Sequence, residues 1–281
     1  MNPSQQAINN WPYPTLIAHR GGGILAPENT LAAMKMGHLH SYTTVEFDVK
    51  LSRDSVALLM HDSTLERTTN GHGAVREKNM AELEKLDAGA WHGDAFRSEP
   101  VPRFSAVAKY LHGLGMMANV EIKPCAGREA ETGRMVGSLC VELWNDRLVK
   151  PLISSFSVEA LVAARETAPD LPMGLLVMAP GAEHLPVLEK LGCVSIHCDH
   201  KYISPERVRL FHSRNYRVMV YTVNEPDRVG KLIALGVDGI FTDQLDMMAK
   251  RFAQHLADTG REMSDPADDS ADWQAAEPPM P

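Results

Sequence analysis

Two short apolar segments carry charged side chains at alternate positions, Glu46 and Asp48 in "VEFDV" and Glu121 and Lys123 in "VEIK". Because successive side chains of a β-strand point to opposite faces, each charged pair shares one face and its apolar neighbours occupy the other. Charges buried in this way must neutralise one another or bind an ion. A structural ion-pair network is one interpretation, but three carboxylates against one lysine leave an excess of negative charge. An all-oxygen ligand set of this kind favours a hard divalent cation, Mg²⁺ or Ca²⁺.

Two histidines end apolar segments of the same type. His19 follows "LIA" and precedes Arg20 and three glycines, and His61 follows "VALLM" and precedes Asp62. A lone histidine is more often structural or solvated, but two beside a metal ion can act as an acid–base pair near neutral pH. Arg20 offers a planar fork for phosphate oxygens and Lys123 a point charge. The glycines let an anion approach the backbone at the start of the following helix.

Short strand-like segments alternate with helical patterns along most of the chain. This alternation predicts a parallel sheet covered by helices, and a closed barrel of this kind needs eight parallel strands. We expect strands at residues 16–19, 43–51, 56–61, 116–123, 152–156, 173–178, 194–198, 217–223 and 239–243, and helices at 30–40, 104–114, 132–146, 157–168, 184–192, 204–215 and 225–236.

The second and third strand segments, 43–51 and 56–61, are separated by only four residues. A parallel crossover needs a dozen or more residues, so this pair must form an antiparallel hairpin. Eight parallel strands then remain, and the predicted fold class is α/β, a TIM (β/α)8 barrel with one strand extended beyond its rim. With the hairpin centred on the four connecting residues, Glu46 is expected opposite His61.

The rest of the chain divides into an insertion and a tail. Residues from about 62 to 102 leave the strand–helix rhythm and contain turn signals such as Asn70-Gly71, which predicts a small insertion packed beside the barrel mouth. Residues 1–254 are therefore expected to form one TIM-barrel domain. Residues 255–281 are rich in Asp, Ala and Pro and are expected to form a disordered acidic tail.

The composition limits the classes of function. The formal net charge of the 281 residues is −8, which argues against a general nucleic-acid binder. No apolar segment approaches the roughly 20 residues that span a bilayer, so no membrane anchor is expected. The amino terminus lacks the basic and apolar regions of a secretory signal, so a cytoplasmic location is expected. The four cysteines have no CxxC spacing and are expected to be buried reduced thiols. Nothing in the composition indicates an oligomeric state.

Several of these motifs together carry a resemblance to a known family. The segments "HRGGGILAPENT", "EFDVKLSRD", "MHDSTLERTTNG", "VEIKP", "SSF", "YTVN" and "GIFTD" occur in the order and spacing typical of the glycerophosphodiester phosphodiesterase family. The chain most resembles the cytosolic bacterial members, over about residues 11–252. No single segment is specific, but their combination is.

The resemblance implies a function and a role for each matching residue. It implies a TIM-barrel enzyme that uses a divalent cation to hydrolyse glycerophosphodiesters, which are small molecules, to glycerol 3-phosphate and a free alcohol. By this resemblance, the metal ion would be bound by Glu46, Asp48 and Glu121, and acid–base catalysis would use His19 and His61. The phosphate would be bound by Arg20 and Lys123, with Glu28 as an organising residue. Tyr221, where many members have tryptophan, would form an aromatic wall of the substrate pocket.

Two other functions would use parts of the same pattern. A lysophospholipase D or a phosphoinositide-type phosphodiesterase would act on a lipid and would need an exposed apolar or basic docking surface, which is not obvious in the insertion. A non-catalytic phosphate-binding barrel would lack one of the two histidines, and this chain has both. The preferred head group, the physiological metal and the assignment of acid and base to the histidines stay open. So does the nucleophile, which is either water or the substrate's own glycerol hydroxyl through a cyclic phosphate.

Overall fold

A computed structural model describes residues 11–259 of the chain. Its nine strands form one sheet in the order β1-β9-β8-β7-β6-β5-β4-β2-β3, and β1 also pairs with β2, so the sheet closes on itself. Eight strands run parallel around the barrel, and β3 is antiparallel to β2. The predicted TIM barrel is therefore confirmed. The strands are β1 Leu16–Ala18, β2 Thr44–Leu51, β3 Ala57–Leu59, β4 Met117–Ile122, β5 Leu152–Ser155, β6 Met173–Val177, β7 Ser195–Asp199, β8 Arg217–Tyr221 and β9 Gly239–Thr242.

Helices connect the parallel strands and cover the outside of the barrel. Several begin at a side-chain cap, which satisfies a backbone N–H group that the first helical turn leaves free. Thr30, Ser157 and Ser204 each accept a hydrogen bond of this kind. The α-helices are α1 Leu31–Leu39, α2 Met80–Leu83, α3 Phe104–Leu114, α4 Glu129–Leu143, α5 Val158–Thr167, α6 Leu185–Leu191, α7 Pro205–His212, α8 Val229–Ala234 and α9 Leu245–Thr259.

The alternation of side chains along the strands divides the core into two layers. On β2, Val45, Phe47 and Val49 point outward into the main hydrophobic core between sheet and helices, which leaves Glu46 and Asp48 on the inner face. A second apolar cluster fills the amino end of the barrel, where Trp11 and Tyr13 pack against strand residues such as Ile17 and Phe241. The four cysteines are buried, and none forms a disulfide.

The β2–β3 hairpin is present, but its register differs by one residue from the prediction. Val49 pairs with Leu59, and the backbone N–H of Met60 donates to the carbonyl of Asp48 at 3.1 Å. The expected pairing of Glu46 with His61 is therefore wrong. The turn is longer than the four residues expected, because Ser52 at its start exchanges backbone and side-chain hydrogen bonds with Val56.

The insertion after β3 forms a small core of its own. Eight buried apolar side chains pack together there, Leu58, Met60, Leu65, Val75, Met80, Leu83, Ala88 and Val101. Two of these come from the hairpin itself, so the insertion is anchored directly to the strand pair that carries Glu46 and Asp48.

The carboxyl-terminal helix α9 extends through Thr259. The boundary expected at residue 254, with disorder from 255 onward, is therefore wrong for residues 255–259, which continue the helix. The remainder of the predicted tail lies outside the described residues. Within residues 11–259, no helix is both long enough and apolar enough to cross a membrane.

The glycine loop after β1 packs tightly against the end of β9. Gly23 has a φ of +53°, and a Cβ atom at this position would overlap the backbone carbonyl of Asp243. That same carbonyl accepts a hydrogen bond of 2.9 Å from the backbone N–H of Ile24. The loop can therefore take this path only with glycine at position 23.

We expect Gly23→Ala to destabilise the protein by more than about 1–2 kcal/mol, the cost of the left-handed conformation for a residue with a Cβ atom, because the overlap with Asp243 adds to it. Gly113→Ala is the matched control, since Gly113 lies in α3 and a Cβ atom there would meet nothing within 4 Å. That variant should match the wild type or gain about 0.5–1 kcal/mol. Urea unfolding measures both, and equal stability of the two variants would contradict the prediction.

Candidate active site

Three buried carboxylates meet inside the carboxyl end of the barrel. Asp48 on β2 pairs directly with Glu121 on β4, and Glu46 pairs with Asn119, two residues earlier on each strand. One ligand oxygen from each of Glu46, Asp48 and Glu121 lies within 4.8 Å of the others. The alternating residues singled out in the sequence are thus brought to one point. We call these three residues the carboxylate cluster.

Burial and mutual repulsion perturb the pKa values of the carboxylate cluster. Burial, reinforced by the charge of Asp48, raises the pKa of Glu46 to about 8, and the same two causes raise that of Glu121. Burial also acts on Asp48, but Lys123 and Arg20 outweigh it and lower the pKa of Asp48 to about 2. Lys123 Nζ lies 2.9 Å from Glu121 Oε1 and 3.3 Å from Asp48 Oδ1, so it neutralises part of the cluster.

The residues present fit a divalent metal ion. Among the described residues, Oε1 of Glu46 is a buried oxygen without a hydrogen-bond partner, and a buried polar atom of this kind calls for a ligand. When all three carboxylates are ionised, they also carry more negative charge than Lys123 and Arg20 balance. A cation bound to the carboxylate cluster would satisfy the free oxygen and the excess charge together.

Asp48 is held in place by Asn29, a residue that the sequence analysis missed. The Asn29 side chain donates from Nδ2 to Asp48 Oδ2 at 2.8 Å and accepts from the Asp48 backbone N–H at 3.0 Å. Asn29 has a φ of +59°, a conformation that asparagine tolerates better than most residues. The signal was present in "PENT", where a polar residue follows Glu28, but only the fold brings it to β2.

His19 is oriented by Asp243 at the end of β9. The Nδ1 atom of His19 lies 2.6 Å from Asp243 Oδ1, and its Nε2 atom lies 3.8 Å from Glu46 Oε2. Asn224 holds Asp243 in turn, donating from Nδ2 to Asp243 Oδ2 at 2.9 Å. Burial lowers the pKa of His19, but the hydrogen bond to Asp243 and the charges of Glu46 and Asp243 outweigh it and raise that pKa. The sequence motif "GIFTD" contained Asp243 without indicating its partner.

His61, which follows β3, has a similar arrangement. Its Nδ1 atom lies 2.7 Å from Asp62 Oδ1. Burial lowers the pKa of His61, and the charge of Asp48 counteracts only part of this effect. Both histidines predicted for acid–base catalysis therefore contact a carboxylate through Nδ1, and neither uses Nε2 for this contact.

Arg20 forms the cationic side of the site and is held by the carboxylate of Glu28. The backbone N–H of Arg20 donates to Glu46 Oε2 at 3.0 Å, and its Nη1 atom donates to Glu28 Oε1 at 2.7 Å. Its Nε atom lies 3.8 Å from Asp48 Oδ2. Glu28 binds Arg20 and a second arginine, Arg67, and has no position in the carboxylate cluster. The organising role of Glu28 stays a prediction.

An aromatic wall flanks Lys123. The Lys123 ammonium lies 5.7 Å from the centre of the Phe156 ring, and Phe156 packs edge-on against Tyr221 at 5.7 Å. The hydroxyl of Tyr221 donates to the carbonyl of Val177 at 2.7 Å, which fixes the ring. The sequence analysis named Tyr221 but missed Phe156, which directly follows β5 and was only part of the motif "SSF".

Comparison with known proteins assigns the family. Residues 19–247 match the glycerophosphoryl diester phosphodiesterase family, so the chain belongs to this family and is a phosphodiester-hydrolysing enzyme. It is 32% identical to a glycerophosphodiester phosphodiesterase of Caldanaerobacter subterraneus subsp. tengcongensis, over 81% of this chain and 93% of that protein.

Solved structures give the same assignment. An Oleispira antarctica phosphodiesterase in complex with the product sn-glycerol-3-phosphate is 33% identical, with a TM-score of 0.81 over 86% of this chain and 97% of that one. A glycerophosphodiester phosphodiesterase from Agrobacterium tumefaciens is 30% identical, with a TM-score of 0.72 over 84% of this chain and 99% of that one.

We expect Glu46→Gln to stabilise the protein in a chelator as the pH rises, because it removes a buried carboxyl whose ionisation is unfavourable beside two others and keeps an oxygen that accepts from Arg20. The folded chain holds the Glu46 proton up to about pH 8, whereas the ordinary pKa is 4.5. Stability contributed by that proton is present below pH 4.5 and is lost as the pH rises through 8. The gain of the variant should therefore grow over this range, by about 2–4 °C in unfolding temperature for each kcal/mol.

The exposed Glu206, replaced by Gln, is the matched control and should show no such trend. Adding a divalent cation should raise the unfolding temperature of the wild type more than that of Glu46→Gln. Thermal unfolding in chelator and in Mg²⁺ measures both effects. A Glu46→Gln protein that is less stable than the wild type throughout the chelated series would contradict the prediction.

Proposed function

We propose that the protein hydrolyses glycerophosphodiesters to glycerol 3-phosphate and an alcohol, in a reaction that depends on a divalent cation. This proposal rests on one observation. Two histidines that each contact a carboxylate, together with the positively charged side chains of Arg20 and Lys123, lie around the carboxylate cluster. The product-bound Oleispira antarctica relative supports the same small-molecule substrate class. The cytoplasmic location stays a prediction.

Glu46, Asp48 and Glu121 would hold the cation, and oxygen ligands of this kind suit Mg²⁺ or Ca²⁺. When bound, the ion supplies positive charge beside the phosphate oxygens. The protein would align the carboxylates that bind this ion. Asn29 donates a hydrogen bond to the Asp48 carboxylate and accepts one from the Asp48 backbone N–H, and the backbone N–H of Arg20 donates to Glu46.

Arg20 and Lys123 would bind the substrate phosphate. Both side chains are partly exposed at the rim and border the carboxylate cluster. Their positive charges favour the transition state, in which negative charge builds up on the phosphate oxygens. Glu28 keeps the Arg20 guanidinium in place. The aromatic pair of Phe156 and Tyr221 would cover the carbon part of the substrate beside Lys123.

His19 and His61 would transfer the protons. One removes the proton of the nucleophile, and the other protonates the departing alkoxide, which is a poor leaving group at neutral pH. Asp243 and Asp62 hold the two rings through Nδ1, so each Nε2 atom is left to exchange a proton. Both water and the glycerol hydroxyl of the substrate fit this scheme as nucleophile.

The proposed activity is tested by the release of glycerol 3-phosphate from a panel that includes glycerophosphocholine and glycerophosphoethanolamine. We expect chelation to abolish turnover and added Mg²⁺ or Ca²⁺ to restore it. Asp48→Ala should lose metal activation because it removes a ligand. Full activity after exhaustive chelation would rule out the metal requirement, and no release from any diester would rule out the activity.

The roles of the two histidines are tested with two leaving groups. His19→Ala and His61→Ala should each lower turnover of glycerophosphocholine by at least about 10²-fold, whereas the exposed His72, replaced by Ala, should have little effect. With a nitrophenyl phosphodiester, the variant that lacks the acid should recover much of its rate, because a phenolate departs with little help. The other variant should not recover. If neither variant is rescued selectively, a purely electrostatic role for the pair is the better account.

A further inference from the structure

Arg67, in the insertion, joins two carboxylates of the site with one guanidinium group. Its Nε and Nη2 atoms donate to Asp62 at 2.6 and 3.0 Å. Its Nη1 and Nη2 atoms donate to Glu28 at 2.7 and 2.8 Å. Each carboxylate is thus held by two parallel hydrogen bonds, the geometry for which arginine is suited and lysine is not.

Both carboxylates lead onward to residues of the proposed mechanism. Asp62 binds Nδ1 of His61 at 2.7 Å, and Glu28 accepts from Nη1 of Arg20 at 2.7 Å. These hydrogen bonds therefore form one continuous network of side chains, which runs from His61 through Asp62, Arg67 and Glu28 to Arg20. One end is a proton-transferring histidine, and the other is a phosphate-binding arginine.

Arg67 itself stands outside the reacting groups. Among the described residues, its guanidinium makes its hydrogen bonds to Asp62 and Glu28 and to no member of the carboxylate cluster. Its side chain is 44% exposed. Ion pairs at such exposure contribute little to stability, so the value of this arrangement lies in orientation.

Under the proposed function, the orientation matters because both ends of this network of contacts would act on the same phosphate group. His61 must reach an oxygen on phosphorus while Arg20 holds the other phosphate oxygens, and a misplacement of about 1 Å can cost 10²-fold in rate. The barrel fixes Arg20 through its backbone, but His61 lies beyond the last hydrogen-bonded residue of β3. Arg67 is the link between the two.

We propose that Arg67 is a positioning residue, which fixes the His61 ring through Asp62 and the Arg20 guanidinium through Glu28, so that the insertion aligns proton transfer with phosphate binding. This inference rests on the proposed function. The proposal states that this alignment requires the planar guanidinium group of Arg67, and not its positive charge alone.

The test compares Arg67→Gln and Arg67→Lys in the full chain with saturating Mg²⁺ and glycerophosphocholine as substrate. Both variants should lose about 10- to 100-fold in kcat, and lysine should recover no more than about threefold over glutamine, because it keeps the charge and loses the fork. The metal concentration for half activation should stay within about twofold of the wild type. Arg67→Lys with wild-type kcat would overturn the proposal.

Arg103→Gln is the matched control. Arg103 also forms a two-bonded pair with a carboxylate, Glu84, and its side chain is 43% exposed, but the pair has no contact with the site. This variant should keep its kcat within about twofold. A loss equal to that of Arg67→Gln would mean that the effect is general destabilisation of the insertion, which would overturn the proposal.

A double-mutant cycle separates positioning from stability. In a His61→Ala background, Arg67→Gln should cost clearly less than in the wild type, because the Asp62 side of the link has no imidazole left to orient. Fully additive losses would overturn the proposal.

A spectroscopic measurement keeps the inference separate from the proposed activity. In ¹⁵N NMR, His61 of the wild type should carry its proton on Nδ1, toward Asp62, and Arg67→Gln should shift the ring toward a mixture of tautomers. An unchanged tautomer would overturn the role of Arg67. A wild type that cleaves no glycerophosphodiester would overturn the proposed function and leave this signature as the deciding result.

Discussion

The confinement of three carboxylates within 4.8 Å in a buried barrel end is the constraint on which the site depends. Like charges at such distances in a medium of low polarity repel strongly, and burial removes the water that would screen them. The neighbouring groups reduce this repulsion or fix the carboxylates in place. Lys123 contacts two of the carboxylates, and Asn29 donates one hydrogen bond to the Asp48 carboxylate and accepts one from its backbone N–H. The three carboxylates still form a group that could hold a cation.

The barrel and the carboxylate cluster could be predicted from the sequence because both follow from local patterns. The alternation of charged and apolar residues around Glu46 and Glu121 assigns the faces of two strands without knowledge of the fold. The eight parallel strands follow from counting segments and from the short connection that requires a hairpin. His19 and His61 could be named because each directly follows an apolar segment, so each was expected at a strand end.

The supporting residues could not be predicted, because their contacts depend on the closed barrel. Asn29 reaches a strand 19 residues away, and Arg67 reaches Glu28 over 39 residues, and no periodic pattern encodes such pairs. The hairpin register failed for a different reason. Its turn is lengthened by hydrogen bonds of the Ser52 side chain with Val56, and a slip of one residue exchanges the faces of a strand.

The pairing of His19 with Asp243 spans 224 positions of the chain and couples the last barrel strand to the first. Glu46, Asp48 and Glu121 lie on the neighbouring strands β2 and β4, so the contacts that bring them together lie within the first half of the chain. The imidazole of His19 gains its carboxylate only when β9 docks between β8 and β1. The orientation of His19 therefore requires the closed barrel, whereas the three carboxylates need only two neighbouring strands.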